Sequence, residues 1–512
     1  MYANTLAMIS KIYSAIPYGF NGRLIEVEGG MNHGLPAFNI VGMANKTISE
    51  ARERVRSALI SSGFSFPGYK VTINLAPADL QKDGSHLDLP IALSVLAVSK
   101  QLLTADTKDK LFVGELSLDG RLKPVKGIIN IVEAARTANL KEVYVPAANL
   151  PQAQLIHGVK IFGVDTLKSL FLHLKGQKLI DLPPANPKPL ETANTCENAV
   201  LLDHIRGQEL AKRAVEIAVA GHHNLLISGP PGAGKTLLAR AAANLLPGLT
   251  EEEKIAVTKI YSLANLKTDN IVTSRPFRNP HHTASPTSII GGGNGASPGE
   301  ISLAHSGILF LDELPEFPRA VLEALRQPLE DKTITISRAN QKATYPADFM
   351  LIATMNPCPC GYLGDPTHKC TCTEYQIQNY RKKLSGPLFD RIDIFVNVDK
   401  VDNAELFQNL PENPRKHSVV KNTITGGLFR QYLRYKKPGF FNSSLSSYQV
   451  TKLINLTPKA KKLLESASEK LQLSARAYFK IIKVARTIAD LEQAEEIDEA
   501  HIAEALSFRS KN

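Results

Sequence analysis

The chain has 512 residues, of which 43% are hydrophobic and 21% charged, and a formal net charge of +11 with a pI near 9.2. Its longest apolar run, residues 89–98, is too short to cross a bilayer, and residues 1–20 contain Lys11 but no signal-peptide core, so membrane and secreted classes are set aside and a cytoplasmic protein of two to four domains is expected. The basic balance suits a polyanion partner without requiring one, and five cysteines, four of them clustered, point to metal or buried thiols and not to disulfides.

Residues 1–180 read as one α/β domain. Residues 23–28 alternate like a half-buried strand, and residues 48–62, rich in Glu and Arg, read as an amphipathic helix. Residues 71–75 read as a strand stopped by Pro77, and residues 87–103 as an apolar helix with Pro90 in its first turn. Residues 111–122 read as a hairpin closed by a two-residue Asp119-Gly120 turn. Residues 181–199, opening with a Pro-rich stretch, read as a stiff linker.

The next stretch carries chemistry. An apolar strand, Leu225-Leu226-Ile227, runs into Gly229-Pro230-Pro231-Gly232-Ala233-Gly234-Lys235-Thr236 and then into a helical run. This matches G-x-x-x-x-G-K-[ST] in the strand–loop–helix setting that the motif needs. Glycines let backbone N–H groups turn around phosphate oxygens, and the helix N-terminus adds partial positive charge. Lys235 reaches the β- and γ-phosphates of ATP, and Thr236 holds Mg²⁺.

Downstream, residues 307–311 form an apolar strand ending in Asp312 and Glu313, suited to the Mg²⁺ shell and to polarising the attacking water. A second apolar strand, residues 349–355, ends at Asn356, which either orients that water or is a turn residue before Pro357. Residues 333–345 read as a hairpin whose tip carries Arg338, either a contact to a nucleic-acid backbone or a solvated edge. His281 and His282 lie in a stretch read as a mobile loop in preference to a metal site. Cys358, Cys360, Cys370 and Cys372 suit tetrahedral Zn²⁺, with buried or redox-active thiols as the alternative. Basic and aromatic residues interleave from Phe429 to Phe441, as in a single-strand clamp or an amphipathic helix with its aromatics packed inward. Residues 457–510 read as helices, with Arg476 and Arg486 near a polar face.

The runs RERVRSAL (52–59), NLAPADL (74–80), DLPIAL (88–93), PHHT (280–283), PGEISLAH (298–305), MNPCPCG (355–361), SGPLFDRID (385–393) and ARTIADL (485–491) resemble the AAA+ ATPases related to the magnesium-chelatase ATPase subunit, most closely the YifB/ComM family. The resemblance covers nearly the whole chain. It implies an α/β architecture with a Lon-protease-like (ribosomal S5 domain 2-like) α+β domain at 1–180, an AAA+ P-loop NTPase parallel sheet at 200–400 and a helical lid at 401–512. Asp312 and Glu313 look like the Walker B pair, Asn356 like sensor 1, Arg391 like an arginine finger acting on the neighbouring subunit, and Arg476 like sensor 2. A finger acting in trans implies a ring, a homo-hexamer in this resemblance, with the insert around His281 and the hairpin around Arg338 facing the pore. DNA, single-stranded or branched, and recombination proteins are the expected partners. The Lon-type serine motif is not matched: Ser85 and Lys126 have the wrong spacing and Ile129 stands near the lysine position, so the domain is expected to be non-proteolytic.

Overall fold

The computed structural model describes residues 9–42, 46–78, 80, 82, 85–182, 200–264, 271–293, 296–338, 341–365, 368–384, 386–400 and 416–509. Most of the expected linker, residues 183–199, lies outside them. No helix among the described residues is long and apolar enough to cross a membrane.

A seven-stranded mixed sheet leads the chain, in the spatial order Ala37–Val41, Lys70–Ala76, Asn21–Asn32, Ile9–Tyr18, Lys110–Phe112, Glu142–Pro146, Lys160–Val164. Period-two alternation gives each long strand two faces. Ile12, Ile16, Ile25 and Val27 pack under helices Lys46–Ser61 and Asp88–Val98, whereas Ala15 and Leu111 pack under helix Ile128–Thr137. The apolar helix expected to run to residue 103 stops at Val98, because Ser99 caps it and Lys100 takes a left-handed conformation with φ 63°. The hairpin expected over residues 111–122 is also smaller. Lys110–Phe112 joins the large sheet, and only Glu115–Leu116 pairs with Leu122–Lys123. Its turn holds three residues, 118–120, between Ser117 and Arg121, and Gly120 supplies the left-handed third position at φ 83°.

A five-stranded parallel sheet follows, in the order Phe277–Arg278, Ile308–Leu311, Met350–Met355, Leu225–Ser228, Ile394–Asn397. Its strands are apolar at nearly every position because both faces are covered. Leu225, Ile227, Phe310 and Ile352 face one core, which includes helices Glu209–Gly221 and Lys235–Leu245; Leu226, Leu309, Leu311 and Leu351 face another.

Helices His417–Tyr435, Pro458–Lys470, Ala475–Leu491 and Glu499–Ser507 complete the first of those cores. Arg486, expected near a polar face, is instead buried. It bonds the carbonyls of Glu495 and Ala494 at 2.6 Å each and pairs with Asp490 at 3.0 Å. The basic-aromatic segment divides. Tyr435 and Phe440 pack inward and Arg434 reaches Asp490, but Phe429 and Tyr432 remain exposed, so neither an all-inward nor an all-outward reading holds.

The two sheets are joined through helix Glu251–Leu263. The Gly127 N–H donates to Ser262 Oγ at 2.9 Å, and Lys259 Nζ meets Glu133 at 2.5 Å while lying 4.1 Å from the Phe20 ring centroid. Lys259 is almost fully buried and Glu133 only partly so. We therefore expect Lys259→Ala to cost about 2 kcal/mol, below the ~3–5 kcal/mol of a pair buried on both sides. Denaturant unfolding would show the loss as an earlier midpoint, and Lys259→Arg should recover part of it.

Candidate functional site

The carboxyl ends of three adjacent parallel strands build the site. Strand Leu225–Ser228 pairs Ser228 with Met355 on one side and Asn397 on the other, while Leu311 pairs with Ala353. The loop 229–234, the Asp312-Glu313 pair and Asn356 therefore emerge side by side at one edge of the sheet. Gly232 and Gly234 sit at φ 81° and 79°, which the loop's curvature requires. A Cβ on Gly229 would lie 2.3 Å from the Val398 carbonyl oxygen, so the loop can start there only with glycine.

The side chains converge. Lys235 Nζ donates to Asn356 Oδ1 at 2.8 Å and to the carbonyls of Gly229 and Pro230 at 2.5 and 3.1 Å. Burial pulls its ammonium below the ordinary lysine value, and the charges of Asp312 and Glu313 oppose that shift. Thr236 Oγ1 donates to Asp312 Oδ2 at 3.3 Å, so a hydroxyl and a carboxylate suited to Mg²⁺ are adjacent. When bound, that ion would shield the charge of a triphosphate; Lys235 and the loop N–H groups would orient it.

Thr354 and Tyr380 neighbour this cluster and carry no signal of their own in the sequence, and His282, already singled out there, joins them. Thr354, fully buried, donates its hydroxyl to Asp312 Oδ1 at 2.5 Å and accepts the Glu313 N–H at 3.0 Å. It thereby holds Glu313 at φ 54°, a left-handed conformation rare for glutamate. Tyr380 accepts the Asn356 N–H at 3.3 Å, and burial pushes its phenol up to about 12. His282 lies 3.9 Å from Glu313 and beside His281, the two ring centroids 4.2 Å apart and the rings tilted by 32°. The paired histidines belong to no metal-ligating group among the described residues.

Cys358, Cys360, Cys370 and Cys372 come together, with every pair of sulfurs within 4.8 Å. Cys358 lies 3.4 Å from Cys360 and 3.7 Å from Cys370, and Cys360 lies 3.6 Å from Cys370. A tetrahedron with Zn–S bonds of about 2.3 Å has S···S edges of about 3.8 Å, whereas a disulfide needs about 2.05 Å. The knot also touches the phosphate loop: a Cβ on Gly361 would lie 2.8 Å from Pro231 Cδ.

Arg391 and Arg476 lie elsewhere. Arg391 precedes strand Ile394–Asn397, and its carbonyl accepts from Asn224, the residue before strand Leu225–Ser228. It therefore sits at the amino edge of the sheet, one strand length of about 13 Å from the phosphate loop. Arg476 shares its cleft, together with Lys480 and Lys483.

Family models describing the magnesium chelatase subunit ChlI match residues 201–406, with the ChlI subunit of Mg-chelatase at 27–149 and the ChlI C-terminal region at 415–509. The competence protein ComM of Haemophilus influenzae is 42% identical over 501 residues, covering 98% of this chain and 97% of that protein. The protein YifB of Salmonella typhimurium is 42% identical over 500 residues, covering 98% and 96%. Lon protease 2 of Bacillus subtilis is 28% identical over 191 residues, covering 34% and 33%.

Thr354→Val keeps the side-chain shape but removes the hydroxyl that orients both carboxylate residues. ATP turnover should fall about tenfold or more, with the thermal melt little changed. Steady-state hydrolysis assays check this, and undiminished turnover would contradict the role given to Thr354.

Proposed function

The chain belongs to the YifB/ComM family of magnesium-chelatase-like AAA+ ATPases, and we propose that it is a ring motor that hydrolyses ATP to drive branch migration of DNA. The observation that carries the ring is the position of Arg391. A guanidinium at the amino edge of the sheet does not reach the phosphate loop at the carboxyl edge of the same chain, so it serves a neighbour's nucleotide. Arg476, beside it, serves the same neighbour. Within each protomer, Lys235 and residues 229–236 bind the triphosphate, Thr236 and Asp312 hold Mg²⁺, Glu313 polarises water and Asn356 orients it. An in-trans guanidinium then neutralises charge as the γ-phosphoryl group transfers.

DNA is favoured as the substrate by the +11 charge, by the antiparallel pair Thr333–Arg338 and Gln341–Pro346, and by the exposed Phe429 and Tyr432. Residues 339 and 340 at the hairpin tip lie outside the described residues. The competence protein among the relatives favours a role during uptake of foreign DNA, with recombination proteins as partners in the cytoplasm. The N-terminal unit is read as non-proteolytic: Ser85 donates its hydroxyl to Glu115, and Ile129 is fully buried. A protein-remodelling or chelatase-type ATPase is the alternative, favoured by the magnesium-chelatase match.

Arg391→Ala should lower turnover on the order of 10³-fold while ATP still binds. Branched DNA should stimulate the wild-type ATPase, and its affinity should drop at least about tenfold between roughly 50 and 200 mM salt. Absence of DNA binding in fluorescence anisotropy would shift the assignment to the protein-remodelling alternative.

The same reading gives the four-cysteine knot a structural Zn²⁺. Metal analysis of the purified chain should find about one zinc per protomer, and Cys370→Ser should lower it severalfold. A zinc-free, fully reduced protein would leave the cysteines as free thiols, with Cys358 buried and the other three partly exposed.

A further inference from the structure

The last turn of helix Arg326–Asp331 places one carboxylate oxygen between the two arginines. Glu330 Oε1 lies 2.5 Å from an Arg391 guanidinium nitrogen and 2.8 Å from one of Arg476. The two guanidiniums lower the Glu330 carboxyl below the usual glutamate range, Arg391 more than Arg476. The rest of the Arg391 head is poorly served: it donates once to the Pro387 carbonyl, and its Nε finds no hydrogen-bond partner among the described residues. The other acids of the cleft are engaged elsewhere, Asp393 with Lys480 at 3.7 Å and Asp348 with Lys332 at 3.0 Å.

We infer that Glu330 is an internal stand-in for the γ-phosphate of the neighbouring subunit's ATP, holding Arg391 and Arg476 until that phosphate displaces it and thereby shifts the hairpin Thr333–Arg338/Gln341–Pro346. One carboxylate oxygen serving two guanidiniums is a poor substitute for a terminal phosphoryl group, whose three oxygens can accept from both at once. Glu330 and Arg476 are half-exposed whereas Arg391 is 7% exposed, so an anion on a facing protomer meets Glu330 and Arg476 first and reaches Arg391 by displacing Glu330. The link to the hairpin is direct. Thr335 N–H donates to Gln327 Oε1 at 3.3 Å, Lys332 N–H to the Pro328 carbonyl at 3.0 Å, and Ala347 N–H to the Lys332 carbonyl at 2.8 Å. A displacement of the helix carrying Glu330 therefore travels into both strands. This inference rests on the ring reading above.

Glu330→Gln keeps shape and removes the competing charge. Ring assembly with a non-hydrolysable ATP analogue, followed by sedimentation velocity, should reach its midpoint at about two- to fivefold lower analogue concentration, the worth of a partly exposed ion pair. Stimulation of the ATPase by branched DNA should weaken at the same time. In the Arg391→Ala background the gain from Glu330→Gln should shrink severalfold. An unchanged or higher midpoint for Glu330→Gln, in a protein whose thermal melt matches wild type, would overturn the inference. Failure of the ring reading has a different signature: wild type would stay monomeric at every analogue concentration, and Arg391→Ala would hydrolyse ATP normally.

Discussion

Strand Leu225–Ser228 is hydrogen-bonded in parallel on both sides, to Met350–Met355 and to Ile394–Asn397, and that double register decides what meets at each end of the sheet. At its carboxyl end the backbone turns into the phosphate loop beside Asp312, Glu313 and Asn356. At its amino end Asn224 accepts the N–H groups of Asp393 and Ile394 on its carbonyl and donates its side-chain amide to the Arg391 carbonyl. Four residues of extended chain thus separate an anion-binding edge from an arginine-bearing edge. Side-chain rotation does not close a gap of that size, and in the proposed ring the two edges meet across a subunit boundary.

The C-terminal helices are tied to the arginine-bearing edge by buried polar contacts. Lys480 donates to the Ile392 carbonyl at 2.7 Å, one residue from Arg391 in sequence, and Arg476 occupies the first turn of the same helix. Deeper in, Asp490 accepts from Arg434, Arg486 and Asn442, while Thr487 meets His223 and Asn442. A fully buried carboxylate is costly unless its lone pairs are filled, and here several donors fill them. Such a network tolerates little sliding of one helix on another. It therefore holds the helix of Arg476 in one position relative to Arg391, as a paired function of the two arginines needs.

The phosphate loop and the four-cysteine knot are in contact although about 120 residues lie between them, and the slow growth of loop-closure entropy with length keeps the cost of that contact modest. Pro231 faces Gly361, and Asn356, two residues before Cys358, accepts from Lys235. A metal in the knot would thus brace the strand-end amide and the mouth of the nucleotide loop together. His282 approaches Glu313, so an insert loop and a thiol knot both border the same carboxyl edge.

Local patterns were enough for much of this. Gly232, Gly234 and Lys235 announce their loop because only certain residues tolerate its backbone and its phosphate chemistry. Apolar runs ending in Asp312 and Asn356 announce buried parallel strands because both faces of such strands are covered. The four cysteines announce a shared site by proximity in sequence alone. Thr354, Tyr380 and Glu330 were not legible, since each acts through a partner at least 24 residues away and is ordinary in its own neighbourhood. Arg486 was misplaced for a related reason: helical periodicity tells which residues share a face, not whether another element covers that face. Which chemical groups are present, and which short elements carry them, can be read along the chain because backbone conformation and hydrophobic period are local. That Arg391 and Arg476 share one carboxylate at the far edge of the sheet emerges with folding, because it depends on strand register and helix docking between segments far apart in the chain.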